Sequence, residues 1–282
     1  MQTKKMFLLP GLALTGGALG FCLRRIQVSR AYNPEMEFFV KGHPSTFLLL
    51  GVLALVLVLL ALLVRGGRTP EDFLPLMRTA SPLPMALQSA AAVLFAAAGV
   101  FRLLEGNRLL ADWREAAAAA YAPPPVTTPL AVLLSGLLCF PAALALLAMA
   151  GDVRRNQLTK KTCLLACFPA FAGLVWVFSI HLSNGVNPIL MDYGFLLAAA
   201  CLLTLGQYYT AAALFDHVCP RRMLFCGLSG VVLGLTALAD LLREPGALLL
   251  VLALSLSALG WALAAAPNVC AAPTSPAESS EI

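Results

Sequence analysis

The ionisable residues best placed to do chemistry lie along "HLSNGVNPILMDYGF", His181 to Phe195, and at "ADLLREPG", where Asp240 and Arg243 stand near each other. A carboxylate at the mouth of an apolar segment can hold a cation or exchange a proton with a nearby histidine or arginine, and ionisable groups close to lipid are functional suspects by default. His181, Asn184, Asn187, Asp192, Asp240 and Arg243 therefore form a candidate vestibule. At about 100° per residue, Thr210 falls in line with Asp192, His217 about 20° away and Gln207 about 60° away, which gives one helix a candidate polar face. Asp192 also has a purely structural reading. Asn187 suits an N-cap and Pro188 a first helical position, so Asp192 would sit near the positive end of a helix dipole.

Other chemistries lack parts. "GLSG", Gly227 to Gly230, resembles the nucleophile motif of rhomboid intramembrane proteases, whose serine works with a histidine on a later helix. A serine needs a base within reach, and this chain has no histidine after His217, which precedes the motif. Packing explains the glycines better: Gly230 with Gly234, and Gly16 with Gly20, are small-xxx-small pairs that let helices approach closely. There is no His-Glu-x-x-His, no Gly-rich Lys-Ser/Thr phosphate loop and no paired-aspartate motif. Cys163 and Cys167 share a helix face without a histidine or acid, and the other cysteines of the apolar runs act as small hydrophobes. No catalytic residue, metal or cofactor is expected.

The elements that must carry these residues follow from composition. The chain has 282 residues, 60% of them hydrophobic and 12% charged, with a mean hydropathy of +0.85. A soluble domain carries roughly 25% charged residues. Apolar runs long enough to cross a bilayer extend over 6–23, 46–64, 83–101, 128–150, 163–182, 189–215, 223–242 and 247–266. Only helices satisfy a lipid-exposed backbone from such continuous runs. The expectation is an all-α, polytopic transmembrane helix bundle of about eight spans over residues 1–266, with a polar, disordered tail over 267–282. The first run is expected to be retained, because Arg24 and Arg25 follow it directly where a signal-peptide cleavage site would not place them.

Basic residues orient the bundle. Arg154, Arg155, Lys160, Lys161, Arg221 and Arg222 fall on one side, whereas the loop at His181 to Asn187 has no Lys or Arg; both chain ends are therefore expected in the cytoplasm. The first half dissents through Arg24 to Lys41 and Arg102 to Arg114. Over 101–121 charged residues recur every three or four positions, an amphipathic pattern in which Arg108 and Asp112 can pair. "KKMFLLPGLA" and "KKTCLLACFPAFAGL", each followed by an Asn-Pro, hint at two tandem four-helix halves.

"NPILMDYGFLLAAACLLTLGQYYTAAALF" followed by "CPRRMLF" resembles uncharacterised multi-pass membrane proteins of Gram-positive bacteria. That resemblance implies residence in the cell membrane and carries no activity. Two functional classes fit: a small-molecule or ion permease, alone or as the membrane subunit of a larger transporter, and a non-transporting membrane protein that binds a partner or lipid. Pro10, Pro141, Pro169 and the Asp192 face favour the first class. The glycine faces and the absence of charge from the middle of the spans favour the second. The expected partners are the lipid bilayer and either another membrane protein or a second copy of the chain; nothing points to nucleic acid.

Overall fold

Leucine, alanine and valine in unbroken runs leave a membrane-embedded backbone no partner but itself, and the chain forms helices almost throughout. The computed structural model describes residues 2–33, 38–40, 42–65, 70, 72–119, 125–185, 187 and 189–270. Helix α1 (Gln2–Ala31) leads into a short antiparallel pair, β1 (Tyr32–Asn33) with β2 (Phe38–Phe39), in which Tyr32 faces Phe39. There follow α2 (Pro44–Arg65), the short α3 (Phe73–Met77), α4 (Leu83–Ala119) and α5 (Thr127–Arg155). The second half contains α6 (Lys160–Leu165), α7 (Phe168–Ser183), α8 (Leu190–Ala212) with a 3-10 turn at Ala213–Phe215, α9 (Pro220–Ala237) and α10 (Pro245–Cys270).

Among the described residues seven helical segments are long and apolar enough to cross a membrane, one fewer than the sequence suggested. The run at 223–242 is the one that falls short. Its helix α9 opens with Pro220, Arg221 and Arg222 and ends at Ala237, so its apolar part is brief. It does not need a lipophilic surface, because α1, α2, α8 and α10 surround it and almost every side chain from Met223 to Ala237 is buried. Helix α10 is central too, with 78% of its apolar window buried, against 28% for α2 and for the α8 segment. The helices of the two halves interleave: α1 and α2 lie on α9, while α4 and α5 pack together and reach α10 and α7.

Local chemistry sets several boundaries. Pro169 has no amide hydrogen, and its ring would clash with the carbonyl of Leu165 in an unbroken helix, so the fifth span is divided into α6 and α7 at Ala166 and Cys167. Asn156 ends α5 in the left-handed region (φ 54°), which asparagine tolerates, and Asp152 then accepts the Thr159 amide at 2.8 Å to start α6. Helix α10 continues through Pro267 to Cys270, past the boundary expected at Ala266, and residues 271–282 of the expected tail lie outside the described residues.

Glycines set the tightest crossings. A Cβ on Gly206 of α8 would lie 2.9 Å from the Gly227 Cα of α9, and one on Gly99 of α4 would lie 3.0 Å from the Gly136 carbonyl oxygen of α5. Gly16 faces Val56 of α2, Gly20 faces Thr236 of α9, Gly230 meets the Leu203 backbone and Gly234 meets Val251 and Ser255. Backbone cannot yield as a flexible side chain can. Gly206→Val is expected to lower unfolding stability by about 1–3 kcal/mol through overpacking. Gly51→Ala, at a lipid-facing position with no neighbour within 4 Å, is expected to leave it unchanged or raise it by up to about 1 kcal/mol through helix propensity. Denaturant unfolding of both variants in micelles checks the pair, and equal stability would contradict the close α8/α9 crossing.

Candidate functional site

A buried arginine organises one end of the bundle. Arg24 lies in the last two turns of α1 and is 1% exposed. Its Nε donates to both Asp240 carboxylate oxygens at 3.1 and 2.9 Å, its Nη1 to Gln27 Oε1 at 2.8 Å and its Nη2 to the Met191 carbonyl at 2.8 Å. The Phe39 ring covers it at 4.8 Å and the Phe195 ring at 5.2 Å, a cation–π arrangement that shields the charge from water. Gln27 in turn donates from Nε2 to Thr46 Oγ1 of α2 at 2.8 Å. One guanidinium thus ties together α1, the β1/β2 hairpin, the start of α2, the first turn of α8 and the turn after α9.

Asp240 is less enclosed, with 24% of its side chain exposed. Burial pushes its carboxyl above the usual range, Arg24 pulls it down, Asp192 pushes it up and Arg25 pulls it down again, with burial dominant. Asp192 stands in the first turn of α8 and accepts a 3.3 Å bond from Asn187 Nδ2. Asn187 Oδ1 also accepts the Ile189 amide at 2.9 Å, so it caps the approach to α8, which begins at Leu190 rather than directly after Asn187. Pro188 lies outside the described residues.

A second arginine holds the neighbouring helices at the same end. Arg102, 5% exposed, donates from Nε to Ser135 Oγ of α5 at 3.2 Å, from Nη1 to Glu105 at 3.0 Å and from Nη2 to Ser179 Oγ of α7 at 2.7 Å. A Cβ on Gly246, at the start of α10, would meet the Arg102 side chain at 2.9 Å. The turn between α9 and α10 is therefore gripped by an arginine on either side, Arg24 at Asp240 and Arg102 at Gly246. Burial and the nearby Glu105 push the Glu244 carboxyl up, and Arg102 opposes them, although the residue is exposed enough for water to weaken all three effects.

The structure groups some of the residues expected to act together. Asp240 bonds Arg24, and Asp192, bonded to Asn187, lies close enough to Asp240 to repel its charge, whereas among the described residues no hydrogen bond or ion pair joins His181, Asn184 or Arg243 to them; His181 and Arg243 are exposed, and Asn184 closes α7 on the Ile180 carbonyl. Asp240 pairs with Arg24, not with Arg243, and the close pair on α4 is Arg102 with Glu105, not Arg108 with Asp112. Gln207 and Thr210 share a buried face of α8. His217 leaves that face, because the 3-10 turn and the left-handed Asp216 (φ 60°) redirect the chain. Gln207 Nε2 donates to Ser257 Oγ at 3.1 Å, and Ser257 Oγ donates to Gln88 Oε1 at 3.0 Å, a closed polar network in the bundle core. The hydroxyl of Ser229, in "GLSG", is buried with no hydrogen-bond partner among the described residues.

Beside the Arg24 cluster a groove of about 560 Å³ opens sideways between α2 and α8. Leu50, Ala54 and Leu57 form one wall, Leu190, Gly194 and Ala198 the other, and Leu233 of α9 the floor. Met191 and Phe195, which touch Arg24, also line it. The slot is lined by apolar side chains, with the ionic cluster lying behind Met191 and Phe195, and such a slot suits an acyl chain. Among the described residues no group of three His, Cys, Asp or Glu side chains stands ready for a metal. The chain matches no family model, no curated protein and no solved structure.

Arg24, Gln27 and Arg102 are absent from the sequence-based site. The apolar run ends at Leu23, which makes Arg24 look like a flanking charge, but the helix continues to Ala31. The available signal was the helical spacing of Arg24 and Gln27, with neither proline nor glycine between Leu23 and Asn33.

Two outcomes test the cluster. Asp240→Ala, which leaves a buried guanidinium without its counter-charge, is expected to cost about 2–4 kcal/mol, and Arg24→Met/Asp240→Leu is expected to recover most of the loss, because removing both charges removes the desolvation cost. A carboxyl whose folded-state pKa is raised binds more protons folded than unfolded, so its contribution to stability falls as pH rises from the ordinary carboxylate range through the raised value. Melting curves across the mildly acid range should show that slope in the wild type and lack it in Asp240→Asn. An identical slope in both would remove Asp240 as its source.

Proposed function

We propose that the protein binds a lipid-like amphiphile drawn sideways from the bilayer, with its chain in the α2/α8 groove and its head group beside Asp192 at the Arg24 end. The observation that carries this reading is the continuity of the groove with the ionic cluster through Met191 and Phe195. Asp192 accepts one 3.3 Å bond from Asn187, which favours a head group that donates hydrogen bonds or carries positive charge. The protein is read as crossing the cell membrane eight times, with α9 as the eighth span, shielded by its neighbours.

Both termini are placed in the cytoplasm. Of 19 Lys and Arg residues, 11 fall on the side so assigned. Arg24 and Arg102 count among the dissenting eight, yet both are buried and paired inside the bundle, so neither acts as a loop charge. Cysteines introduced at Gln157 and Asn184 test the orientation: an impermeant thiol reagent applied to intact cells should label Asn184→Cys and spare Gln157→Cys. The reverse pattern inverts the topology.

For the ligand, melting of the purified protein is followed across a panel of lipids and cationic amphiphiles. A ligand that binds the folded state raises the melting temperature in proportion to ln(1 + [L]/Kd). Ala54→Trp, which fills the groove from a lipid-facing position, should abolish the shift, and Leu62→Trp, on the same helix outside the groove, should keep it. Asp192→Asn should weaken it. A shift retained in Ala54→Trp contradicts the groove, and one lost there but unchanged in Asp192→Asn contradicts the head-group assignment alone.

The permease reading has one specific observation in its favour. Helix α8 is flanked by the α2/α8 groove and by another of about 610 Å³ against Ala170, Phe171 and Leu174 of α7, while its closest crossing is the glycine contact with α9. A helix with open flanks has room to rock. Flux of the panel compounds into proteoliposomes, abolished by Asp192→Asn, would favour transport over binding.

A further inference from the structure

At the opposite end of the bundle α4 and α5, which meet backbone to backbone at Gly99 and Gly136, separate around a half-open cavity of about 560 Å³. Its lining differs from that of both lateral grooves. Thr79 and Ser81 come from the loop before α4, Ser89 from the second turn of α4, and Arg154 from the last turn of α5; Met85 and Leu147 supply apolar wall. The hydroxyls are held in place by local bonds: Thr79 Oγ1 accepts the Ser81 amide at 3.2 Å, and Ser81 Oγ accepts the Leu83 amide at 3.3 Å. Both oxygens accept in those bonds, so their own protons remain free to be donated into the cavity. The loop is fixed from behind, because Asn268 of α10 donates to the Leu76 and Arg78 carbonyls at 2.7 and 2.8 Å.

We infer that this cavity is a site for the phosphodiester of an anionic glycerophospholipid. Arg154 is exposed at the rim, and its planar guanidinium suits two phosphate oxygens at once. The Thr79 and Ser81 hydroxyls supply further donors, and the Met85 and Leu147 wall faces the start of the acyl chains. The neighbourhood is net basic: Arg78, Arg155, Lys160, Lys161 and Arg222 belong to the same end of the bundle, against Asp72, Asp152 and Asp216. A phosphate on a soluble molecule would satisfy the same donors, but it would leave the apolar wall facing water. This site is separate from the α2/α8 groove and does not rest on the proposed function.

The test is a melting titration of the purified full chain in a neutral detergent with phosphatidylglycerol, phosphatidylcholine and glycerol 3-phosphate. Phosphatidylglycerol is expected to raise the melting temperature saturably, phosphatidylcholine less, and glycerol 3-phosphate not at all. Arg154→Gln should raise the midpoint concentration about tenfold, the loss expected for one charge-assisted contact. Ser89→Phe should remove the shift by filling the cavity, and because the Ser89 hydroxyl bonds only its own helix, at the Met85 carbonyl, the fold should tolerate its loss. Ala54→Trp should keep the shift, which separates this site from the groove. Equal shifts with phosphatidylcholine, an equal shift with glycerol 3-phosphate, or an undiminished shift in Arg154→Gln would each overturn the assignment, as would no shift at all.

Discussion

Burying the Arg24 guanidinium constrains everything around it. A charge in a nearly dry site costs several kcal/mol unless its donors are met, and the acceptors come from elements far apart in sequence: Asp240 beyond α9, the Met191 carbonyl at the start of α8, and Gln27 one turn along α1. Each partner has to be delivered by its own stretch of chain. Helix α1 must run on past its apolar part, the hairpin must fold back so that Phe39 covers the charge, and the α9/α10 turn must bring Asp240 inward. Arg102 repeats the device for α4, α5 and α7, with Ser135, Ser179 and Glu105 as acceptors. The end of the bundle is pinned at two points.

The middle of the bundle is held by different means. Lipid offers little hydrophobic drive between helices, so close backbone approach and interhelical hydrogen bonds take over. Gly206 against Gly227 and Gly99 against Gly136 provide the approach, and Gln88, Gln207 and Ser257 bond among themselves across α4, α8 and α10. The Gln88/Gln207/Ser257 network uses its own groups, while Thr204, Ser229, Ser255 and Trp261 keep buried polar atoms without a partner among the described residues. The openings that remain lie at the flanks of α8 and between α4 and α5, where side chains face lipid or the bundle ends.

The helical form and the seven long apolar helices were legible in the sequence because each depends on a local property, the length and composition of an apolar run. The identity of the central helix was not legible in the same way. Helix α9 carries Arg221, Arg222 and three glycines, and burial by its neighbours is what permits that composition. The Arg24 cluster was half visible. Asp192 and Asp240 stood out as acids at span ends, but Arg24, their organising partner, lies 216 residues from Asp240, and no spacing rule reaches that far. The expected Asp240/Arg243 pair was the nearest available in sequence, and the long-range partner displaced it. His217 failed to join the polar face of α8 for a local reason, since the 3-10 turn ends the helical period before it.

The central claim is that an intact Arg24 cluster borders a lateral groove that an amphiphile occupies. Electron cryomicroscopy of the protein in lipid nanodiscs tests it most directly. The account predicts elongated density between α2 and α8 over Leu233, ending near Met191, with Arg24 on Asp240. A groove closed by α2 lying against α8, or Arg24 turned away from Asp240 into solvent, would contradict it.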